Sequence, residues 1–326
     1  MAMIEIDGAS GEGGGQVLRS ALALSLVTGR PFRIANIRAG RRRPGLMRQH
    51  LTAVDAAAEI GRARVKGADV GARELVFEPG SVRAGDYRFS VGTAGSATLV
   101  FQTVFPALAL ATGRSTVTVE GGTHNPMAPP FDFLARAFLP LVGRMGPRCV
   151  ATLERPGFYP AGGGRFVVAI EPAPAFGTLT LTERGEIRGR RATAVVALLA
   201  RTIAERELKA VRDRLGWDPS LCRVESVDGA VGPGNVVSVE VESEHVTELF
   251  TGVGERGVSA ERVGAGVADE AREYLAAGVP VGRHLADQLL LPMALGGGGR
   301  FRTVKPSSHT HTHVELLRSF LGSEIR

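Results

Sequence analysis

Cysteine is nearly absent: Cys149 and Cys222 are the only two in 326 residues. One widely separated pair is no disulfide framework, and the count excludes a zinc site built from cysteine, so a reducing cytoplasm is the expected location. A signal-peptide core is missing too, since Met1 to Asp7 carries acids where such a peptide needs bases. The longest apolar stretch, Leu99 to Ala111, is interrupted by Gln102 and Pro106. It falls short of the ~18 residues of a spanning helix, so no membrane partner is expected.

Two further absences bear on the ligand. No Lys-Ser/Thr pair follows the Gly-rich start Gly8-Ala-Ser-Gly-Glu-Gly-Gly-Gly15, which excludes a Walker A loop. The next strand runs into Ile37-Arg38, where a dinucleotide site would place an acid for the ribose.

The composition that remains is that of a folded chain with a substantial core and more than one structural unit, 44% apolar and 22% charged. Its 43 glycines are clustered, which points to tight turns and close backbone approaches. A net charge of +6 and a pI near 10.0 favour polyanions such as nucleic acid, nucleotides or acidic lipid headgroups.

A unit recurs along the chain. Glycines lead into an apolar helix over Val17 to Thr28, then Gly29-Arg30 and a strand at Phe32 to Ile34; the plan returns with Ala97 to Thr112, Gly113-Arg114 and Ser115 to Val119. It returns again with Leu285 to Leu295, Gly296 to Gly299, Arg300 and Phe301 to Val304. Each copy is followed by an amphipathic helix, at Leu46 to Ile60, Phe131 to Met145 and Thr312 to Leu321. Hairpins are predicted for Ala63 to Lys66 with Glu74 to Phe77, and for Cys149 to Leu153 with Arg165 to Ile170.

Gly29 and Gly113 lie 84 positions apart, but Gly113 and Gly299 lie 186 apart. That difference calls for an inserted α/β domain at about 183–279, with helices at Ala194 to Leu215 and Ala260 to Ala277 and strands near Arg223 to Val227 and Val236 to Val241. The fold class is therefore α/β.

Three segments could carry chemistry. Backbone N–H groups of the first Gly cluster can approach a phosphate at a helix N-terminus, although a structural tight turn fits the same residues. Around it stand Glu12, Arg19, the arginines of Arg38 to Arg43, Gln49 and His50. Guanidinium forks suit phosphate oxygens, and a carboxylate among them suits a divalent metal; a solvated basic loop is the alternative. The third segment, Ser307-Ser-His-Thr-His-Thr-His313, holds three of seven histidines. As a strand it would put all three imidazoles on one face for a metal; otherwise it is a polar loop, or one imidazole serves as a nucleophile.

Several motifs together resemble the RNA 3'-terminal phosphate cyclase family over almost the whole chain. They are Gly11-Glu-Gly-Gly-Gly-Gln16, Ile37-Arg-Ala-Gly-Arg41, Pro44-Gly-Leu46, Arg48-Gln-His-Leu51, Gly121-Gly-Thr123 with Asn125-Pro126, Phe158-Tyr-Pro-Ala-Gly-Gly-Gly164, Gly232-Pro-Gly-Asn235 and His284-Leu-Ala-Asp-Gln288. The resemblance implies three tandem repeats like the C-terminal domain of translation initiation factor three, occupying 1–182 and 280–326, with the smaller domain inserted. It implies that His309 takes AMP from ATP and passes it to an RNA 3'-phosphate end, whose 2'-oxygen then closes a cyclic phosphate. Glu12 would bind a divalent metal, Mg or Mn. Gln102, His284, Leu285, Ala286, Asp287 and Gln288 would hold ATP, with Asp287 near the ribose. Arg19, Arg38, Arg41, Gln49 and His50 would line the path of the phosphates or the RNA end. A homodimer is compatible with the resemblance.

The sequence departs from the family pattern at His284, where better-known bacterial members have Tyr, and at Ser308, which replaces a frequent Cys. His311 and His313 are extra imidazoles, and the chain ends soon after Leu321, so the third unit is expected to lack a full final strand. Alternatives are a non-catalytic ribosome-assembly relative, against which the presence of His309 argues, an enolpyruvyl transferase of related architecture, and an enzyme that adenylylates other polynucleotide ends.

Overall fold

In the computed structural model, which describes residues 2–322, 324 and 325, strand β1 (Ile4–Asp7), helix α1 (Gly15–Thr28) and strand β2 (Phe32–Ala35) form a crossover in which the two strands pair in parallel. Helix α2 (Arg48–Gly61) follows, then the hairpin of β3 (Arg64–Lys66) and β4 (Leu75–Glu78), and β4 adds antiparallel to β2. The sheet order is β1-β2-β4-β3.

The next stretch repeats this wiring. Strand β5 (Asp86–Ser90), helix α3 (Ala97–Ala109) and strand β6 (Ser115–Gly121) make a second parallel crossover. The predicted helix at Phe131 to Met145 is not a regular α-helix: α4 (Phe131–Phe133) passes through a π-helical turn, Leu134–Phe138, into α5 (Leu139–Gly143). Strands β7 (Arg148–Arg155) and β8 (Gly164–Glu171) complete a sheet of order β5-β6-β8-β7, with the same strand directions as the first.

After β9 (Leu179–Leu181) the chain builds a separate sheet with its own core around Val237, Val239, Phe250 and Tyr274. Its elements are β10 (Ile187–Ala197), α6 (Arg201–Leu215), β11 (Cys222–Ser226), β12 (Gly234–Ser243), β13 (Thr247–Val253) and α7 (Ala260–Ala277). Residues Ala194 to Ala197, predicted helical, are the end of β10. Ala194 and Val196 are buried while Val195 is only partly so, a period of two, and Leu198 at φ 52 breaks the chain before α6 begins. Strand β13 and the first half of β10 were not foreseen.

The chain then returns as α8 (Arg283–Leu295), β14 (Gly299–Phe301) and α9 (Ser308–Leu321), with β14 parallel to β9. The extra sheet therefore enters between the first strand and the crossover helix of the third unit. Helix α9 starts four residues before the predicted Thr312, because Ser307 Oγ accepts from the Thr310 N–H and Thr310 Oγ1 accepts from the Ser307 N–H.

Helices α1, α3 and α8 are apolar on most sides because other helices cover them. Helix α1 packs on α2, α3 and α9, and α8 on α9. Leu22, Phe101 and Leu289 are fully buried there, each burial contributing about 1.5–3 kcal/mol. Among the described residues no helix is long and apolar enough to cross a membrane.

Candidate functional site

Helices α1, α3 and α8 converge on one cleft open to solvent. Its lining includes Gln16 and Arg19 from α1, Gln102 from α3, Asp287 and Gln288 from α8, and His313 from α9. Gln102 Nε2 donates to Gln288 Oε1 at 2.6 Å, which leaves the Gln288 amide and the Gln102 carbonyl to meet a polar ligand.

His309 stands in the first turn of α9, with its side chain about half exposed. Its Nδ1 lies 2.8 Å from Gln16 Oε1 and 4.0 Å from Glu12 Oε2. The turn is tied down from below, because Ser307 Oγ and Thr310 Oγ1 both donate to the Asp287 carboxylate, Ser307 at 3.2 Å. Burial raises the Asp287 pKa, and these hydroxyls oppose that rise. The N-terminus of a long helix also favours an anion arriving beside the imidazole.

A second group of donors gathers at the start of α1. Arg19 makes no hydrogen bond or ion pair among the described residues, and burial lowers its pKa to about 10 against the pull of Glu12. His50 accepts from the Met47 N–H through Nδ1 at 3.1 Å, so Nε2 carries the ring proton. Burial first, then Arg19 and Arg38, push its pKa down to about 3, which makes it a neutral donor. A Cβ on Gly15 would sit 2.5 Å from His50 Nε2 and 2.6 Å from an Arg19 nitrogen. Only glycine leaves the space between those donors and the helix start open, and a phosphate oxygen suits that space.

Glu12 is nearly enclosed and pairs with Arg41 at 2.5 Å, while Arg41 also donates to the Glu12 carbonyl at 3.0 Å. Arg38 is occupied elsewhere: it donates to the carbonyls of Arg43 at 2.7 Å and Gly45 at 2.9 Å and braces its own loop. Gln49 Oε1 accepts from the Ser96 N–H at 3.0 Å, joining the second unit to α2.

Three predicted nucleotide contacts do not present side chains to the cleft. Leu285 and Ala286 are buried in the core. His284 faces the inserted segment, 3.9 Å from Glu270 of α7, and that carboxylate raises its pKa. The strand reading of the three histidines is also corrected. They lie on α9, where His309 and His311 are exposed and His313 is buried between Ser20 Oγ at 3.2 Å and the Asp287 carbonyl at 3.1 Å. The carbonyl can only accept, so His313 Nδ1 donates to it and Nε2 accepts from Ser20. No group of three or more His, Cys, Asp or Glu side chains able to hold a metal occurs among the described residues.

Sequence reasoning missed Gln16, Ser20, Ser307 and Thr310. Gln16 closes the Gly-rich motif, and Ser307 with Thr310 has the spacing of a helix cap, so both signals were present.

By class, this is an α/β protein whose helices α1, α3 and α8 share an open cleft beside a partly exposed imidazole. It belongs to the RNA 3'-terminal phosphate cyclase family, whose sequence profile matches residues 10–326. A relative in Koribacter versatilis (strain Ellin345), named RNA 3'-terminal phosphate cyclase, is 54% identical over 319 residues, covering 98% of this chain and 90% of its own. One of the same name in Ralstonia nicotianae (strain ATCC BAA-1114 / GMI1000) is 53% identical over 324 residues, covering 99% and 92%. The enolpyruvyl transferase alternative falls with this membership.

Proposed function

We propose that this chain is an ATP-dependent RNA 3'-terminal phosphate cyclase working through a covalent His309-AMP intermediate. The observation that carries the reading is the His309 imidazole, held by Gln16 beside a cleft whose half-buried Arg19 lacks an ionic partner among the described residues. A half-buried guanidinium that faces the cleft without a counter-ion suits a phosphate group, which would supply the missing charge.

In the first step a ring nitrogen of His309 attacks the α-phosphorus of ATP, and the P–O bond to pyrophosphate breaks with its electron pair. An oxygen of the RNA 3'-phosphate then attacks the same phosphorus, breaking the N–P bond and restoring the imidazole. Finally the 2'-hydroxyl loses its proton and attacks the 3'-phosphate; the new ring P–O bond forms as AMP leaves. That last attack is intramolecular, so positioning supplies much of its rate.

Gln102 and Gln288 hold the base end of ATP, while Arg19, His50 and Arg41 take the phosphates or the RNA end. Asp287 acts by fixing the first turn of α9, a different role from contact with the ribose. Glu12 is the carboxylate that would hold a divalent cation, Mg or Mn; one carboxylate with triphosphate oxygens and water meets the needs of such an ion, which would offset phosphate charge. The catalytic unit is 1–182 with 280–326, residues 183–279 are an inserted domain, and the protein works in the cytoplasm.

The test is labelling with α-labelled ATP and a divalent metal, followed by site mapping. A phosphoramidate that is acid-labile and alkali-stable is expected at His309, lost in His309→Ala and retained in His311→Ala. Undiminished labelling of His309→Ala would defeat the reading.

A further inference from the structure

The motif Phe158 to Gly164 contributes nothing to the lining of the cleft. It lies instead against loops of α3 and of the inserted segment, in a row that begins one residue from His50. Gln49 accepts from the Ser96 N–H, and a Cβ on Gly95 would sit 2.8 Å from the Gln49 Cβ. Gly162 comes next: it is left-handed at φ +69, and a Cβ there would sit 2.8 Å from the Ala94 Cα. A Cβ on Gly232 would collide with that of Ala161, so the inserted segment closes the row. An open groove runs along it, lined by Gly92, Thr93, Gly121, Ala161 and Gly163, with Glu120 answered by Arg165 at 3.5 Å.

The side chains around this groove hold large apolar faces in solvent. Tyr159 is 62% exposed, Val231 60% and Met127 94%. Met127 belongs to the loop of His124, whose ring stacks on Phe158 and whose N–H donates to the Gly157 carbonyl, so it stands beside the same motif. Arg155 donates through Nε to the Gly163 carbonyl at 2.6 Å and makes no ion pair among the described residues. Exposed aromatic and apolar faces over a glycine floor, with a guanidinium at the edge, suit unpaired bases and the phosphates between them. Continuity with His50 selects the occupant, because the groove opens beside the place where an RNA 3'-phosphate would be held. Resting on the cyclase reading above, we infer that this groove is the track of the RNA strand behind its 3' end, with Tyr159 as a stacking surface for an unpaired base.

The test uses the full chain and two RNAs that end in a 3'-phosphate, a long single strand and a dinucleotide. Affinities are read without ATP, by fluorescence anisotropy for the labelled strand and by competition for the dinucleotide. Tyr159→Ala should weaken the long strand by roughly 5- to 50-fold and leave the dinucleotide bound as in wild type. Tyr159→Phe, which keeps the ring, should bind both as wild type does. A 5-iodouridine placed a few nucleotides from the 3'-phosphate should photo-cross-link to Tyr159. Wild-type affinity of Tyr159→Ala for the long strand, or cross-links confined to residues outside these loops, overturns the inference. So does a change in oligomeric state of Tyr159→Ala with RNA binding intact, which would give the face to a protein partner. The two failures are distinct: if His309 never carries AMP, these ATP-free affinities still report the track.

Discussion

The backbone N–H of Glu12 donates to Thr312 Oγ1 at 3.0 Å, joining the Gly-rich loop to the helix that carries His309 across 300 positions of sequence. The same hydroxyl donates to the Ser308 carbonyl at 2.9 Å, so one side chain serves both the loop and the first turn of α9. Gly11 makes this approach possible, since at φ +64 it is left-handed and a Cβ there would collide with Thr312. Gly11→Ala should cost about 1–3 kcal/mol in urea unfolding and slow self-labelling. A variant as stable as wild type would show that the loop can back away from α9 freely.

Arg19 sets stability against function. Its half-buried guanidinium has no hydrogen bond or ion pair among the described residues, so Arg19→Gln should leave the thermal midpoint unchanged or raise it. The same variant should gain less stabilisation from ATP and lose at least about tenfold in labelling. A clear drop in the midpoint without ligand would mean that Arg19 is needed to hold the fold itself.

Asp287 accepts from two hydroxyls at the start of α9, so Asp287→Ala strands both and should cost about 1–3 kcal/mol. Through loosened placement of His309 it should lower the labelling rate more than it weakens ATP binding. Loss confined to the ATP Michaelis constant would return Asp287 to the nucleotide.

His313 is neutral where it is buried, its pKa lowered by burial to about 4. Protonation therefore favours the unfolded chain: the contribution of His313 is complete above its ordinary pKa of ~6.5 and erodes as pH falls toward 4, by about 1.4 kcal/mol per unit. His313→Gln keeps a donor for the Asp287 carbonyl and an acceptor for Ser20, and should flatten the midpoint-against-pH curve in that window. An unchanged slope would assign the acid sensitivity to another group.

Glu248 works in the opposite direction. It is buried under the start of α8, accepts from the Gly282 N–H, and burial pushes its pKa up to about 8. The folded state holds the proton, so the contribution is full below the ordinary carboxyl range near 4.5 and is lost as pH rises toward 8. Glu248→Gln retains the acceptor and should be at least as stable as wild type at pH 8, measured by thermal unfolding; marked destabilisation there would show that the ionised carboxylate is the stabilising form.

Much of the fold was legible because its determinants are local. Apolar runs bounded by glycine marked α1, α3 and α8, alternation marked β6, a hairpin pattern marked β7 and β8, and the spacing of Gly29, Gly113 and Gly299 called for extra chain between the last two. Where local signals conflict the reading slipped: Ala194 to Ala197 favours helix by composition, yet pairing with β11 and β12 makes it strand.

The sequence alone determined the class of fold and named candidates for phosphate binding, since propensity, periodicity and side-chain chemistry are properties of short segments. Only the tertiary structure decided how those residues are used. It exposed His309 and buried His313 four positions on, spent Arg38 on its own loop, turned His284 toward α7, and set Gln16 against His309. Such assignments depend on contacts between segments up to 300 positions apart, and side-chain spacing along a chain carries no distance across a fold.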